Sequence, residues 1–225
     1  MTAREHSPRP LHQGVMKLEW APGRCTTVET IGNGPGVVLA HGAGAGPRHP
    51  FMVGLAGRLG AAGLRVSAFE YPYVAEGRKA PDRLETLIAC HRAVAAAAAD
   101  GGAVPFLVGK SMGGRVGSHL DLESPGRVFL GYPLVAPGSG SRRGHEHLSG
   151  KGPLLFVQGS RDRLGPPALI AEVVESLAFA EMVVIEGADH SFATPKAMGI
   201  RPEEMLDRLA ATVVDWIRRQ PGGGT

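Results

Sequence analysis

Three residues, widely separated in the chain, have the types that activate a hydroxyl group as a nucleophile. Ser111 stands in Gly109-Lys110-Ser111-Met112-Gly113, directly after the apolar run Val104 to Val108. A serine hydroxyl is a poor nucleophile until a histidine takes its proton and a carboxylate holds that histidine. Asp162 follows the run Leu154 to Val157, in Gln158-Gly159-Ser160-Arg161-Asp162, and His190 follows Met182 to Ile185, in Glu186-Gly187-Ala188-Asp189-His190. With 33 glycines in 225 residues, the bare pattern Gly-x-Ser-x-Gly arises by chance about 0.2 times in such a chain. Its weight comes from the strand-like run before it, the helix-compatible stretch after it, and the two partners further on. Two backbone N–H groups are expected to hold a developing oxyanion. One is that of Met112. The other is that of Ala43, in the turn after Leu39-Ala40-His41-Gly42, where His41 and Gly42 are candidate substrate contacts.

Rival readings fail on spacing. A phosphate-binding P-loop needs a glycine five positions before Gly109, and Val104 is there. Gly42-Ala43-Gly44-Ala45-Gly46 after the first apolar run has its third glycine one place early for a dinucleotide fingerprint, with Pro47 at the required position. Asp189 is the adjacent alternative acid, but neighbours in sequence do not aim their side chains at each other, and it reads as a turn residue. His91 falls in a helical stretch. His145 and His147 form a pair with no cysteine or acid cluster beside it, so no metal and no cofactor is implied.

The elements that must position these residues alternate. Apolar runs at 37–40, 106–108, 128–130, 154–157 and 182–185 show no polar alternation, as in parallel strands buried on both faces. A weaker strand covers Arg65 to Tyr71. Helical stretches lie at 82–99, 112–123, 167–179 and 202–219, the last opening with Pro202-Glu203-Glu204. The expected fold class is α/β: a mostly parallel central sheet with helices on both faces. Met16 to Trp20 and Thr26 to Ile31 should add antiparallel edge strands. A single domain at 14–220 is expected, with 1–13 and 221–225 as flexible ends and no large cap domain.

Composition is ordinary for a globular chain, 43% hydrophobic and 20% charged. The net charge of +3 is spread along the chain, whereas nucleic-acid binding wants a basic stripe or cluster. No apolar run approaches the ~20 residues of a membrane span, and the amino-terminal residues lack the apolar core of a signal peptide. Two cysteines imply no disulfide framework. A cytoplasmic protein with no nucleic-acid or membrane partner is expected.

The stretches LAHGAGAG (39–46), EGRKAPDR (76–83), VGKSMGGRV (108–116), QGSRDRLG (158–165) and GADHSF (187–192) resemble the α/β-hydrolase family. Within it they are similar to the small dienelactone-hydrolase-like branch, in the group that includes testis-expressed and NSL-complex-subunit relatives. The resemblance implies an eight-stranded sheet, the Ser111–Asp162–His190 roles, and a small acyl ester as substrate without cofactor or metal. Dienelactone hydrolases carry cysteine at the elbow, so Ser111 favours plain ester or thioester hydrolysis. Between 130 and 154 only a loop is expected, leaving an open cleft. If Arg78, Arg142 and Arg143 face that cleft, they favour a substrate bearing an anion. The competing expectation is a non-catalytic interaction module on the same fold.

Overall fold

The computed structural model describes residues 13–99 and 101–224. Most of the expected loose ends, 1–12 and 225, therefore lies outside the described residues. Residues 221–224 close a turn on the last helix, with the Gly223 N–H donating to the Gln220 carbonyl at 3.0 Å.

The strands are β1 (Gln13–Ala21), β2 (Arg24–Ile31), β3 (Gly36–Ala40), β4 (Arg65–Phe69), β5 (Phe106–Lys110), β6 (Arg127–Leu130), β7 (Leu154–Gly159) and β8 (Ala180–Ile185). The helices are α1 (Pro50–Ala61), α2 (Pro72–Ala75), α3 (Leu84–Ala98), α4 (Met112–Ser118), α5 (Pro167–Glu175) and α6 (Pro202–Arg219). One eight-stranded sheet runs β1-β2-β4-β3-β5-β6-β7-β8. β1 and β2 join it antiparallel, as expected of edge additions, and β4 through β8 are parallel with β3.

Alternation along the pleat assigns the two cores. Val37 and Leu39 of β3 pack with Leu55 and Leu59 of α1 and with Leu209, Val213 and Trp216 of α6. Val38 and Ala40 face the other way, toward Leu87, Cys90 and Val94 of α3 and Val116 of α4. Phe129 and Phe156 meet Ile170 and Val173 of α5 in a third cluster. No helix among the described residues is long and apolar enough to cross a membrane.

Three expectations need correction. The helix after Pro166-Pro167, α5, stops at Glu175 rather than running to 179. Met182 to Ile185 is not buried on both faces: β8 is the sheet edge, and Val184 is 40% exposed. The helix after Ser111 stops at Ser118 rather than running to 123. The last turn tightens, with the His119 N–H on the Val116 carbonyl at 3.1 Å and the Leu120 N–H on the Gly117 carbonyl at 3.3 Å. Arg127 takes up carbonyls beyond it. This arginine is fully buried at the head of β6. Its Nη2 donates to the carbonyls of Leu122 at 2.7 Å and Leu120 at 3.4 Å, and its Nη1 donates to that of Lys151. The guanidinium thus satisfies carbonyls of the irregular segment after α4 and of the loop before β7.

Arg127→Met is expected to lower stability by about 3 kcal/mol, because the Leu122 and Lys151 carbonyls lose their donor inside the protein, while that of Leu120 keeps Lys151 Nζ at 3.3 Å. Urea denaturation measures it; a loss under about 1 kcal/mol would mean that water replaces the guanidinium.

Candidate functional site

Ser111 occupies the turn between β5 and α4 with φ 51° and ψ −116°. That conformation costs a side-chain-bearing residue on the order of 1–3 kcal/mol. Hydrogen bonds fix it. The Ser111 N–H donates to the Leu130 carbonyl at 2.9 Å, and the Ser111 carbonyl accepts the Arg115 N–H at 3.0 Å. The flanking glycines are steric necessities. A Cβ on Gly109 would lie 2.2 Å from the Gly114 nitrogen, and one on Gly113 would lie 2.4 Å from the Ala40 carbonyl oxygen.

The structure brings Ser111, His190 and Asp162 together. Ser111 Oγ lies 2.8 Å from His190 Nε2, and His190 Nδ1 lies 2.8 and 2.9 Å from the two carboxylate oxygens of Asp162. A carboxylate only accepts, so Nδ1 carries the ring proton and Nε2 is free to accept from the serine hydroxyl. The Asp162 side chain is wholly buried, and its Oδ1 also accepts the N–H groups of Leu164 at 2.8 Å and Gly165 at 3.0 Å. Burial pushes this carboxyl up. The His190 bond and charge, with those two amides, outweigh it and leave the group below its ordinary range. Asp189 accepts the Ser191 and Ala193 N–H groups at 2.8 and 3.0 Å, so it caps its own turn.

The glycine-rich turn is held from behind. The Tyr71 N–H donates to His41 Nε2 at 3.1 Å, so Nδ1 bears the proton and donates to the Gly42 carbonyl at 2.8 Å. Burial lowers the pKa of His41 and keeps it neutral. The Tyr73 hydroxyl donates to the Ala43 carbonyl at 2.9 Å. Across a trans peptide the N–H points opposite to the carbonyl, so the Ala43 N–H is directed away from the buried His41 ring. His41 is thus a support for the turn, whereas Gly42 and Ala43 line a cavity with Ser111.

Two cavities meet at Ser111. One of 320 Å³ is bordered by Gly42, Ala43, Lys110 and His190. The other, of 510 Å³, is bordered by Ala43, Met112, Arg115 and Arg143. A larger hollow of 860 Å³ lies at the amino ends of the strands beside Gly36 and Phe106, remote from all of these residues. Of the three expected basic contacts only Arg143 borders a cavity at the serine. Arg78 pairs with Glu76 at 2.6 Å and Asp82 at 2.7 Å, and Arg142 with Glu172 at 2.7 Å.

Two supporting residues escaped the sequence reading. Gln158 is fully buried. It accepts the Tyr132 N–H at 2.6 Å and donates to the Gly165 carbonyl at 2.8 Å, tying two loops beside Asp162. Its signal was a lone polar residue ending an apolar run. Lys110, beside the serine at the end of a buried strand, turns its Nζ inward to the His190 carbonyl at 2.7 Å and lies over the Phe192 ring.

Residues 34–218 match the family model described as an alpha/beta hydrolase domain. The fold is similar to that of a dienelactone hydrolase from Anabaena variabilis ATCC 29413, with TM-score 0.71 and 18% identity over 94% of this chain and 99% of that one. It is similar to an α/β serine hydrolase without lid from Xanthomonas campestris, with TM-score 0.71 and 18% identity over 95% and 97%. Alpha/beta hydrolase domain-containing protein 10 from mouse matches at TM-score 0.67 and 13% identity, over 92% and 99%.

Burial pushes Lys110 down to about 8 from an ordinary 10.5, against the pull of Asp162 and Asp189. The folded chain then releases this proton before the unfolded chain does, so its contribution to stability rises with pH between those values. The stability of wild type minus that of Lys110→Met is expected to rise by on the order of 2 kcal/mol across this window, less than the full shift because the side chain borders a cavity. Urea denaturation at both ends measures it. A flat difference would mean that the ammonium keeps its water.

Proposed function

The chain belongs to the α/β-hydrolase domain family, and on that premise we propose that it is a serine hydrolase cleaving a carboxylic ester or thioester through an acyl-enzyme. The carrying observation is the unbroken hydrogen-bond chain from Ser111 Oγ through His190 to buried Asp162. Ser111 Oγ attacks the acyl carbon while His190 Nε2 takes its proton. Asp162 holds the imidazole and offsets the charge it gains. The N–H groups of Met112 and Ala43 receive the carbonyl oxygen as it becomes negative. His190 then returns the proton to the departing alcohol or thiol. A water molecule, deprotonated by the same histidine, attacks the acyl-serine. The acyl carbon–Oγ bond breaks, His190 passes the proton to Ser111 Oγ, and the acid leaves.

His190 must reach the leaving atom, so the 320 Å³ cavity beside it takes the alcohol or thiol. The 510 Å³ cavity, which borders Ser111 but not His190, takes the acyl portion. The segment between β6 and β7 is a loop with one short 3-10 helix, Glu146–Leu148. Such a covering suits short acyl groups. Grouping with the testis-expressed and NSL-complex-subunit relatives rests on the quoted motifs. A purely scaffolding role would need neither the strained Ser111 nor an ionised carboxylate held behind its histidine.

A fluorophosphonate probe is expected to label the wild type and leave Ser111→Ala unlabelled. Asp162→Asn should slow labelling at least about 100-fold, since the wrong histidine tautomer is then favoured. Asp189→Asn should label at the wild-type rate. An unlabelled wild type would sink the hydrolase reading in favour of the interaction module.

A further inference from the structure

Arg115 and Arg143 form a pair of guanidinium groups on the cavity assigned above to the acyl portion. Neither meets a carboxylate among the described residues. Arg115 Nη1 donates to the Tyr132 hydroxyl at 3.5 Å, and Arg143 Nη1 donates to the Pro133 carbonyl at 2.9 Å. Both acceptors are neutral. Asp82 also borders the cavity; its Oδ1 accepts from Arg78 at 2.7 Å, its Oδ2 is buried without a partner, and neither oxygen pairs with Arg115 or Arg143. The two guanidinium groups therefore present positive charge beside the serine without an ion-pair partner among the described residues. Burial and then the field of Arg115 lower the pKa of Arg143, as expected of like charges held close.

Both side chains are set in place without a ligand. Arg115 lies four residues after Ser111, one turn along α4, and side chains on a helix lean back toward its amino end. Its guanidinium is thus carried over the turn that begins at Ser111. Arg143 is fixed by its own N–H on the Leu134 carbonyl at 2.8 Å as well as by its side chain. The loop that bears it is fastened to the end of α4. His147 stacks on His119 with ring centroids 3.7 Å apart, and its Nε2 meets Ser118 Oγ at 2.9 Å. Val135 and Arg142 form a bridge in this loop. In such extended chain successive side chains face opposite ways, so Arg142 goes out to Glu172 while Arg143 goes in.

We propose that Arg115 and Arg143 form an anion subsite that selects acyl groups ending in a carboxylate, so that the preferred substrates are half-esters or half-thioesters of short dicarboxylic acids. A planar carboxylate accepts from guanidinium groups in paired hydrogen bonds. Ser111 and Arg115 stand one helical turn, about 5.4 Å, apart along the backbone, and both border the same cavity, a scale that a few methylenes fill. This rests on the acyl-hydrolase reading for the identity of the neighbouring bond, and not for the binding of the anion.

The test compares 4-nitrophenyl hydrogen adipate with 4-nitrophenyl hexanoate, which has a methyl group in place of the distal carboxylate. Wild type is expected to favour the adipate at least about tenfold in kcat/KM. Arg115→Gln and Arg143→Gln should each reduce that ratio several-fold, through a raised KM for the adipate. Arg142→Gln should keep the wild-type ratio. Titration of Ser111→Ala with the adipate gives a readout independent of turnover. Binding that weakens in the Ser111→Ala/Arg143→Gln double variant supports the subsite, even if wild type hydrolyses neither ester and the hydrolase reading falls. Equal kcat/KM for both esters overturns the subsite, and so does adipate binding indifferent to both arginines, while hexanoate turnover leaves the hydrolase reading standing.

Discussion

At Ser111 the chain reverses from β5 into α4 through a space that admits no Cβ on either side. The Gly109 and Gly114 backbones touch, and Gly113 lies against the Ala40 and His41 carbonyls. That close approach locks the Ser111 turn to the end of β3, from which the glycine-rich turn departs. Serine, Met112 N–H and Ala43 N–H are therefore fixed by one piece of backbone packing. The strain at Ser111 persists because the sheet on one side and α4 on the other leave it no relaxed alternative.

Charge is arranged around that turn in layers. Asp162 is buried yet ionised, because His190 and two backbone amides replace its lost water. Lys110 fastens the His190 carbonyl, linking the β5–α4 turn to the loop after β8. On the far side of the serine, Arg115 and Arg143 stand with neutral partners only. A protein interior tolerates such unmatched charge at a cavity wall because water or a ligand reaches it. The loop over the site thus acts less as a cover than as a mount for one arginine.

The strand runs, the alternation with helices and the order Ser111, Asp162, His190 were legible because each is encoded locally. An apolar stretch reports burial on both faces, and glycine spacing reports a tight reversal. Local signals failed where a distant group intervened. The segment after α4 reads as helix, yet its carbonyls go to Arg127 from the next strand. The apolar run of β8 looked doubly buried because composition does not record a missing neighbour.

The sequence by itself determined the parallel α/β plan and the placing of Ser111, Asp162 and His190 at strand ends, since apolar runs and the residues that close them are local features. Only the tertiary structure decided the inside and outside of adjacent residues and the company each kept. Arg142 and Arg143 are chemically identical in the sequence, yet one is spent on Glu172 and the other borders the serine's cavity. His41 reads as a substrate contact until Tyr71 and Gly42 claim both its nitrogens. The reason is physical: a side chain's charge and hydrogen-bonding capacity are written in the chain, but whether a partner has already used them depends on groups brought together only by folding.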